Sequence, residues 1–192
     1  RFIQIGTSEM YGSVDHAVNE DEAIKPTSPY AASKVAFDMY LISVHKHLGF
    51  PMNIIRPSNA YCPGQLLHRV IPKAIWSGLT GQKLPLHGGG KAEKSYIHAR
   101  DLGRAIHLVS ESAPLGKTYN VGPQTPTSIR NVVERCAVAL GLEFEELCEI
   151  SEERLGQDSR YWLDSSAVFD DTGWKPEIGW DEGLEEMVFW GK

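Results

Sequence analysis

Apolar positions recur with two different periods along this chain. Phe2-Ile3-Gln4-Ile5 reads as a buried strand over residues 2–6, and Gly6-Thr7-Ser8-Glu9 follows where such a strand ends. Residues 12–27 are polar and rich in Pro, Asp and Glu, which predicts a loop. Ser28-Pro29 then opens a helix. Ser is a favoured N-cap, and Pro fits the first helical position, where its missing N–H would go unpaired anyway. Positions 30, 34, 37, 41, 44 and 48 (Tyr, Lys, Phe, Leu, Val, Leu) share one face of a 3.6-residue period. Val35, Met39 and Ile42 form a second apolar stripe, and Gly49 ends the helix. Pro51 to Pro57 is a second short strand, with Ser58-Asn59-Ala60-Tyr61-Cys62-Pro63-Gly64 at its carboxyl end. Strand, helix, strand is one βαβ unit and implies a parallel sheet.

Beyond Gly64 the spacing predicts a helix over 70–79 and a short strand over 84–87, followed by the Gly88-Gly89-Gly90 turn. A strand at 94–98 leads into a helix over about 99–112, with Leu102, Ala105, Ile106 and Val109 facing inward. A strand at 117–121 closes on Gly122, and Thr127 or Ser128 caps a helix that runs to about Leu140 and stops at Gly141. Residues 151–166 read as polar loop with a strand-like piece near 161–163, and an amphipathic helix starts at about Asp181. Tri-glycine raises the question of a phosphate loop. A dinucleotide fingerprint needs a strand before it, a helix straight after it and an acidic residue further on, and here a strand-like run follows, so a plain turn is expected.

Composition narrows the classes without choosing one. The 192 residues can bury one substantial core or two small ones, and 42% hydrophobic with 23% charged residues is ordinary for a globular protein. A formal net charge of −6 with no long basic run argues against a nonspecific nucleic-acid binder. No apolar run approaches the about 18 residues of a membrane span. Cys62, Cys136 and Cys148 have no metal-ligand spacing, so no metal is expected, and they fit reduced thiols of a cytoplasmic protein. The chain starts at Arg1 and enters a strand at once, which reads as the later part of a longer protein or a piece of a cut one.

Two stretches carry candidate chemistry. Tyr30 and Lys34 are one helical turn apart on the same face, and a cation that close favours a phenolate, the form in which tyrosine serves as a general base. Thr7, Ser8 and Glu9 sit beyond the carboxyl end of the first strand, where open parallel sheets bind their ligands.

Thr7-Ser8-Glu9-x-Tyr11-Gly12, Ser28-Pro29-Tyr30-x-x-x-Lys34, Arg56-x-x-Asn59-x-Tyr61-x-Pro63, Tyr119-Asn120-Val121-Gly122 and Gly173-Trp174-Lys175-Pro176 together resemble the extended short-chain dehydrogenase/reductase family. More narrowly they resemble its nucleotide-sugar 4,6-dehydratases. The resemblance implies an α/β fold: the C-terminal part of a doubly wound parallel (Rossmann) sheet plus a smaller mixed α/β substrate-binding domain. Residues 1–62 and about 98–126 would form a partial NAD-binding domain, and residues 63–97 and about 127–192 would bind a nucleoside-diphosphate sugar. The Gly-rich loop and ribose-binding acid of the family are not in this sequence, and a full-length or second chain would supply them.

By the same resemblance, Tyr30 takes the proton of the sugar 4-hydroxyl while hydride leaves C4 for NAD. Lys34 supports Tyr30 and the nicotinamide ribose, Thr7 orients the hydroxyl, and Pro57 lies on the cofactor. Glu9 is the base that removes the C5 proton acidified by the C4 ketone, a step that a 4-epimerase does not need. Ser8 stands where glucose-type dehydratases have Asp and matches the mannose-type enzymes and the decarboxylases. Asn59, Arg69, Lys94 and Arg160 are implied as substrate contacts, with Lys94 and Arg160 as cations for the diphosphate. Lys94 replaces the usual Arg, so two-pronged phosphate recognition is lost there. Ser8 and Arg160 point to different subgroups. A homodimer through the Tyr30 helix is expected. The alternatives are a nucleotide-sugar decarboxylase, a 4-epimerase of the same family, and a non-catalytic fragment that only binds nucleotide sugar.

Overall fold

The structure is a computed structural model and describes residues 1–153 and 158–192. The principal elements are strand β1 (Phe2–Ile5), helix α1 (Pro29–Leu48), β2 (Met52–Pro57), α2 (Val70–Thr80), β3 (Leu84–His87), α3 (Ala99–Ser112), β4 (Thr118–Val121), α4 (Ile129–Leu140), β5 (Cys148–Ser151), α5 (Ser166–Thr172) and α6 (Trp180–Gly191). They divide into two compact units. One contains residues 1–60, 94–126 and 158–176, and the other contains residues 61–93, 127–157 and 177–192.

In the first unit, β1, β2 and β4 form a parallel sheet in the order β1-β2-β4, with Gln4 opposite Ile54 and Ile55 opposite Tyr119. Met52 to Arg56 is an unbroken buried run, because a central parallel strand is covered on both faces. Alternation along β2 separates those faces. Ile54 packs with Met52 and with Leu41 and Ile42 of α1, whereas Ile55 joins Tyr119, Val121, Ala105, Val109, Val168 and Trp174. Helices therefore lie on both sides of the sheet, which is the doubly wound arrangement. At the end of the sheet order, β1 is less covered than a buried strand would be, and Phe2 is 39% exposed.

Helix α1 begins and ends where the residue types require. The Ser28 hydroxyl accepts from the Ala31 amide at 3.1 Å, and Gly49 closes the helix in the left-handed region at φ 67°. Its buried face is turned by one residue from the expected one. Ala31, Asp38 and Leu41 are buried, while Tyr30, Phe37 and Leu48 are exposed. The cause is Asp38, which is drawn inward by Arg56. The expected outer stripe is also corrected. Val35 packs against Met10, Tyr11, Val18 and Leu163, and Ile42 packs on the sheet, so the outward apolar residues are Phe37 and Tyr40, stacked at 6.1 Å, with Met39 and Leu48.

In the second unit, α2 packs against α4 and α6, and β3 pairs in parallel with β5, with Leu84 opposite Cys148. Strand β5 and the helical turn Phe144–Leu147 before it are additions to the sequence reading, as is α5 in the first unit. Ser128, rather than Thr127, caps α4 by accepting from Asn131 at 3.1 Å. Trp174 is buried and Trp180 meets Tyr61 edge-on at 5.0 Å, whereas Trp76 and Trp190 are exposed.

Gly88, Gly89 and Gly90 all have positive φ (57°, 68° and 70°), which is the conformation of a tight turn. A Cβ on Gly90 would lie 2.6 Å from the Arg130 amide nitrogen, whereas one on Gly89 would meet nothing within 4 Å. Gly90→Ala should therefore lower stability by more than the about 1–2 kcal/mol that the left-handed conformation alone costs, and Gly89→Ala by that amount or less. Urea unfolding of the two variants checks this, and equal losses would contradict it.

Candidate functional site

The carboxyl ends of β1 and β2 gather the predicted groups of the first unit. Thr7 follows β1 and caps a single 3-10 turn, Ser8–Tyr11, with its hydroxyl oxygen accepting from the Glu9 amide at 3.3 Å. That bond uses a lone pair and leaves the Thr7 proton available to donate. The turn packs against α1, whose first turns carry Tyr30 and Lys34. Tyr30 is 54% exposed, Lys34 and Glu9 are half-buried, and Ser8 is buried. Pro57 ends β2 and is half-buried, as is Asn59, whose backbone N–H donates to the Ser95 carbonyl at 3.0 Å. Between them, Ser58 is buried, and among the described residues its hydroxyl has no hydrogen-bond partner.

Beneath this surface lies a polar frame that the sequence reading missed. Arg56 is buried near the end of β2, with Nε 3.3 Å from Asp38 Oδ2 and Nη1 donating to the Tyr11 hydroxyl at 2.8 Å and the Glu20 carbonyl at 3.3 Å. Tyr11 donates onward to Asn120 Oδ1 at 2.9 Å, and the Asn120 backbone N–H donates to the Glu20 carboxylate at 2.6 Å. Burial pushes the Asp38 and Glu20 carboxyls above their usual range; for Asp38 the Arg56 guanidinium opposes the rise. The available signal was Arg56 itself, a lone cation inside an apolar strand that has to find a partner.

Lys94 departs from its expected place as an open cation. It is 6% exposed, its Nζ donates to the Asp158 carbonyl at 2.9 Å, and it lies 3.3 Å from the centre of the Tyr161 ring. Asp158 in turn accepts from Thr27 and Tyr161 at 2.6 Å each and from Ser13 at 3.0 Å. Burial opposes ionisation of Asp158, yet those three hydroxyls and Lys94 hold its carboxyl below the usual range. The cluster fastens the 12–27 loop to the segment after residue 158, which also carries Arg160. Arg160 is half-buried and its backbone carbonyl accepts from Val14 at 3.2 Å. Arg69 belongs to the second unit, where it is exposed and precedes α2.

The residues present fit one half of a dinucleotide cofactor. An exposed phenol, a half-buried ammonium, an available Thr proton and an orphaned Ser58 hydroxyl share the strand ends, a donor set suited to a ribose and a carboxamide. No Gly-rich fingerprint for the adenosine half occurs in the sequence. Among the described residues, no cluster of three or more His, Cys, Asp or Glu side chains could hold a metal ion, and no helix is long and apolar enough to cross a membrane.

Comparison with known proteins agrees with this geometry. The profile of the family described as GDP-mannose 4,6 dehydratase matches residues 1–187. The dTDP-glucose 4,6-dehydratase of Streptomyces griseus is 33% identical over 190 residues, which cover 98% of this chain and 58% of that enzyme. A trifunctional UDP-glucose 4,6-dehydratase/3,5-epimerase/reductase of Arabidopsis thaliana is 32% identical over 194 residues, covering 99% of this chain and 29% of that protein. The crystal structure of a dTDP-glucose 4,6-dehydratase from Streptomyces venezuelae with NAD bound superposes with a TM-score of 0.93 at 31% identity, over 98% of this chain and 58% of that one. The chain thus spans less than two thirds of these relatives.

Burial pulls the Lys94 ammonium down to about 8 from an ordinary 10.5, against the charges of Asp158 and Glu9. Between those values the unfolded chain binds more protons than the folded one, so this residue's contribution to stability rises with pH across that window and is least favourable below pH 8. Relative to Lys94→Met, the parent should therefore gain on the order of 2 kcal/mol from pH 8 to pH 10. Urea unfolding of both at the two pH values measures the difference. An identical pH dependence would mean that Lys94 keeps its water.

Proposed function

This chain belongs to the GDP-mannose 4,6 dehydratase family, and from that premise we propose that it is the catalytic part of an NAD-dependent nucleotide-sugar 4,6-dehydratase. The first unit would hold the nicotinamide half of NAD. The observation that carries the reading is Glu9 on the same strand end as Thr7, in a turn packed against the helix that presents Tyr30 and Lys34. NAD, when bound, would accept hydride from C4 of the sugar and return it at C6.

The protein's own groups supply the proton chemistry. Tyr30, with the Lys34 cation one turn away, takes the proton of the 4-hydroxyl. Thr7 orients that hydroxyl with the proton its cap bond leaves unused. Lys34 also holds the nicotinamide ribose, and Pro57 lies against the cofactor. Glu9 removes the C5 proton once a C4 ketone has acidified it. Ser8 is no acid, so Glu9 or a water protonates the departing 6-hydroxyl. Asn59, Arg69 and Arg160 bind the sugar nucleotide. Lys94 is held by Asp158 and Tyr161.

The exposed Phe37 and Tyr40 stack, with Leu48 beyond it, supports a homodimer through α1, since a helix apolar on its outer face is usually covered. Tyr40→Glu should then shift a dimer to monomer by light scattering, and a parent already monomeric at micromolar concentration would end the idea. Three free thiols support a location in the reducing cytoplasm.

Glu9→Gln in the full-length protein should separate a dehydratase from the 4-epimerase alternative. Oxidation at C4 should persist, because it uses Tyr30, Lys34 and Thr7. Solvent-deuterium incorporation at C5 should fall by roughly 10²–10⁴-fold. Unchanged incorporation would remove Glu9 as the base.

A further inference from the structure

We propose that Asp38 is a positioning residue for Lys34, fixing the ammonium that the Tyr30 site requires. Asp38 lies four residues after Lys34 in α1, so the two side chains neighbour each other on one face of the helix. That face is the inward one: Lys34 is half-buried and Asp38 is 0% exposed. The Asp38 carboxylate is only half used by the frame. Oδ2 is 3.3 Å from Arg56 Nε, while Oδ1, also buried, has no hydrogen-bond partner among the described residues. A buried carboxylate oxygen left without a donor is costly, and a nearby ammonium with three protons is the natural donor.

The position of the carboxylate suits the task. A Cβ on Gly6 would lie 3.2 Å from Asp38 Oδ2, so the group sits directly against the residue that precedes Thr7. Lys34 contributes to the charges that offset burial at Asp38, after Arg56. Helix stability does not explain the pair, because a lysine N-terminal to an acid is the weaker order for an i,i+4 contact. A Lys34 ammonium turned onto the unpartnered Oδ1 would be restrained there. A lysine stem has several rotatable bonds, and a base–cation pair must hold its geometry to about 0.5 Å.

The inference rests on the Tyr30–Lys34 reading, and a double-mutant cycle on kcat in the full-length holoenzyme tests the two separately. Asp38→Asn should lower kcat by roughly 10- to 100-fold in the parent. In a Lys34→Met background it should change kcat by less than about two-fold, because the group through which it acts is gone. Equal fold losses in both backgrounds would overturn the inference and assign Asp38 to Arg56 alone, as would a kcat within about two-fold of the parent for Asp38→Asn itself. A Lys34→Met variant with near-parental kcat would instead overturn the catalytic reading beneath it. Should Asp38→Asn fail to fold, Asp38→Glu keeps a carboxylate for Arg56 while displacing it by one methylene, and carries the same cycle with the same expected outcomes.

Discussion

A guanidinium buried near the end of a central strand is the constraint on which the rest of this structure depends. An unpaired charge in the place of Arg56 would cost several kcal/mol, so the fold must bring partners to it. They come from separate parts of the chain: Asp38 from α1, the Tyr11 hydroxyl from the turn after β1, and the Glu20 carbonyl from the 12–27 loop. Asn120 of β4 closes the network through Tyr11 and Glu20. Satisfying one buried cation thereby fixes how helix, turn, loop and strand meet at the end of the sheet where Thr7, Tyr30 and Lys34 stand.

The site consequently has two layers of opposite character. The upper layer is accessible, with Tyr30 more than half exposed and Lys34 and Glu9 half-buried, as suits the roles proposed for them. The lower layer is buried and hydrogen-bonded, which gives the upper one a rigid base. Lys94 and Asp158 play the corresponding part for the loop. Their contact joins residues 13 and 27 to the segment from 158 to 161, with Lys94 buried beside it.

Elements with strong local signals were legible in the sequence. The Ser28 cap, Pro29, the 3.6-residue period and Gly49 defined α1 from the residues alone, and the βαβ unit with its parallel sheet followed. The orientation of α1 was not legible, because an Asp in a helix reads as solvent-facing until its buried partner is known. The strand Cys148–Ser151 and the helix Ser166–Thr172 are short, and long-range contacts set them: the strand pairs with Leu84–His87, and the helix buries Val168 in one core with Trp174. Lys94 could not be placed either, since its hydrogen-bond partner lies 64 residues away. The candidate catalytic groups were readable as motifs, while the frame that supports them required the fold.

The most direct measurement is turnover and thermal stability of Tyr30→Phe in the full-length protein. The change removes one hydroxyl from a ring that is 54% exposed, so little packing is lost. A catalytic Tyr30 requires an unaltered unfolding temperature with turnover reduced by about 10²–10⁴-fold. Turnover within a few-fold of the parent, in a protein equally well folded, would contradict it.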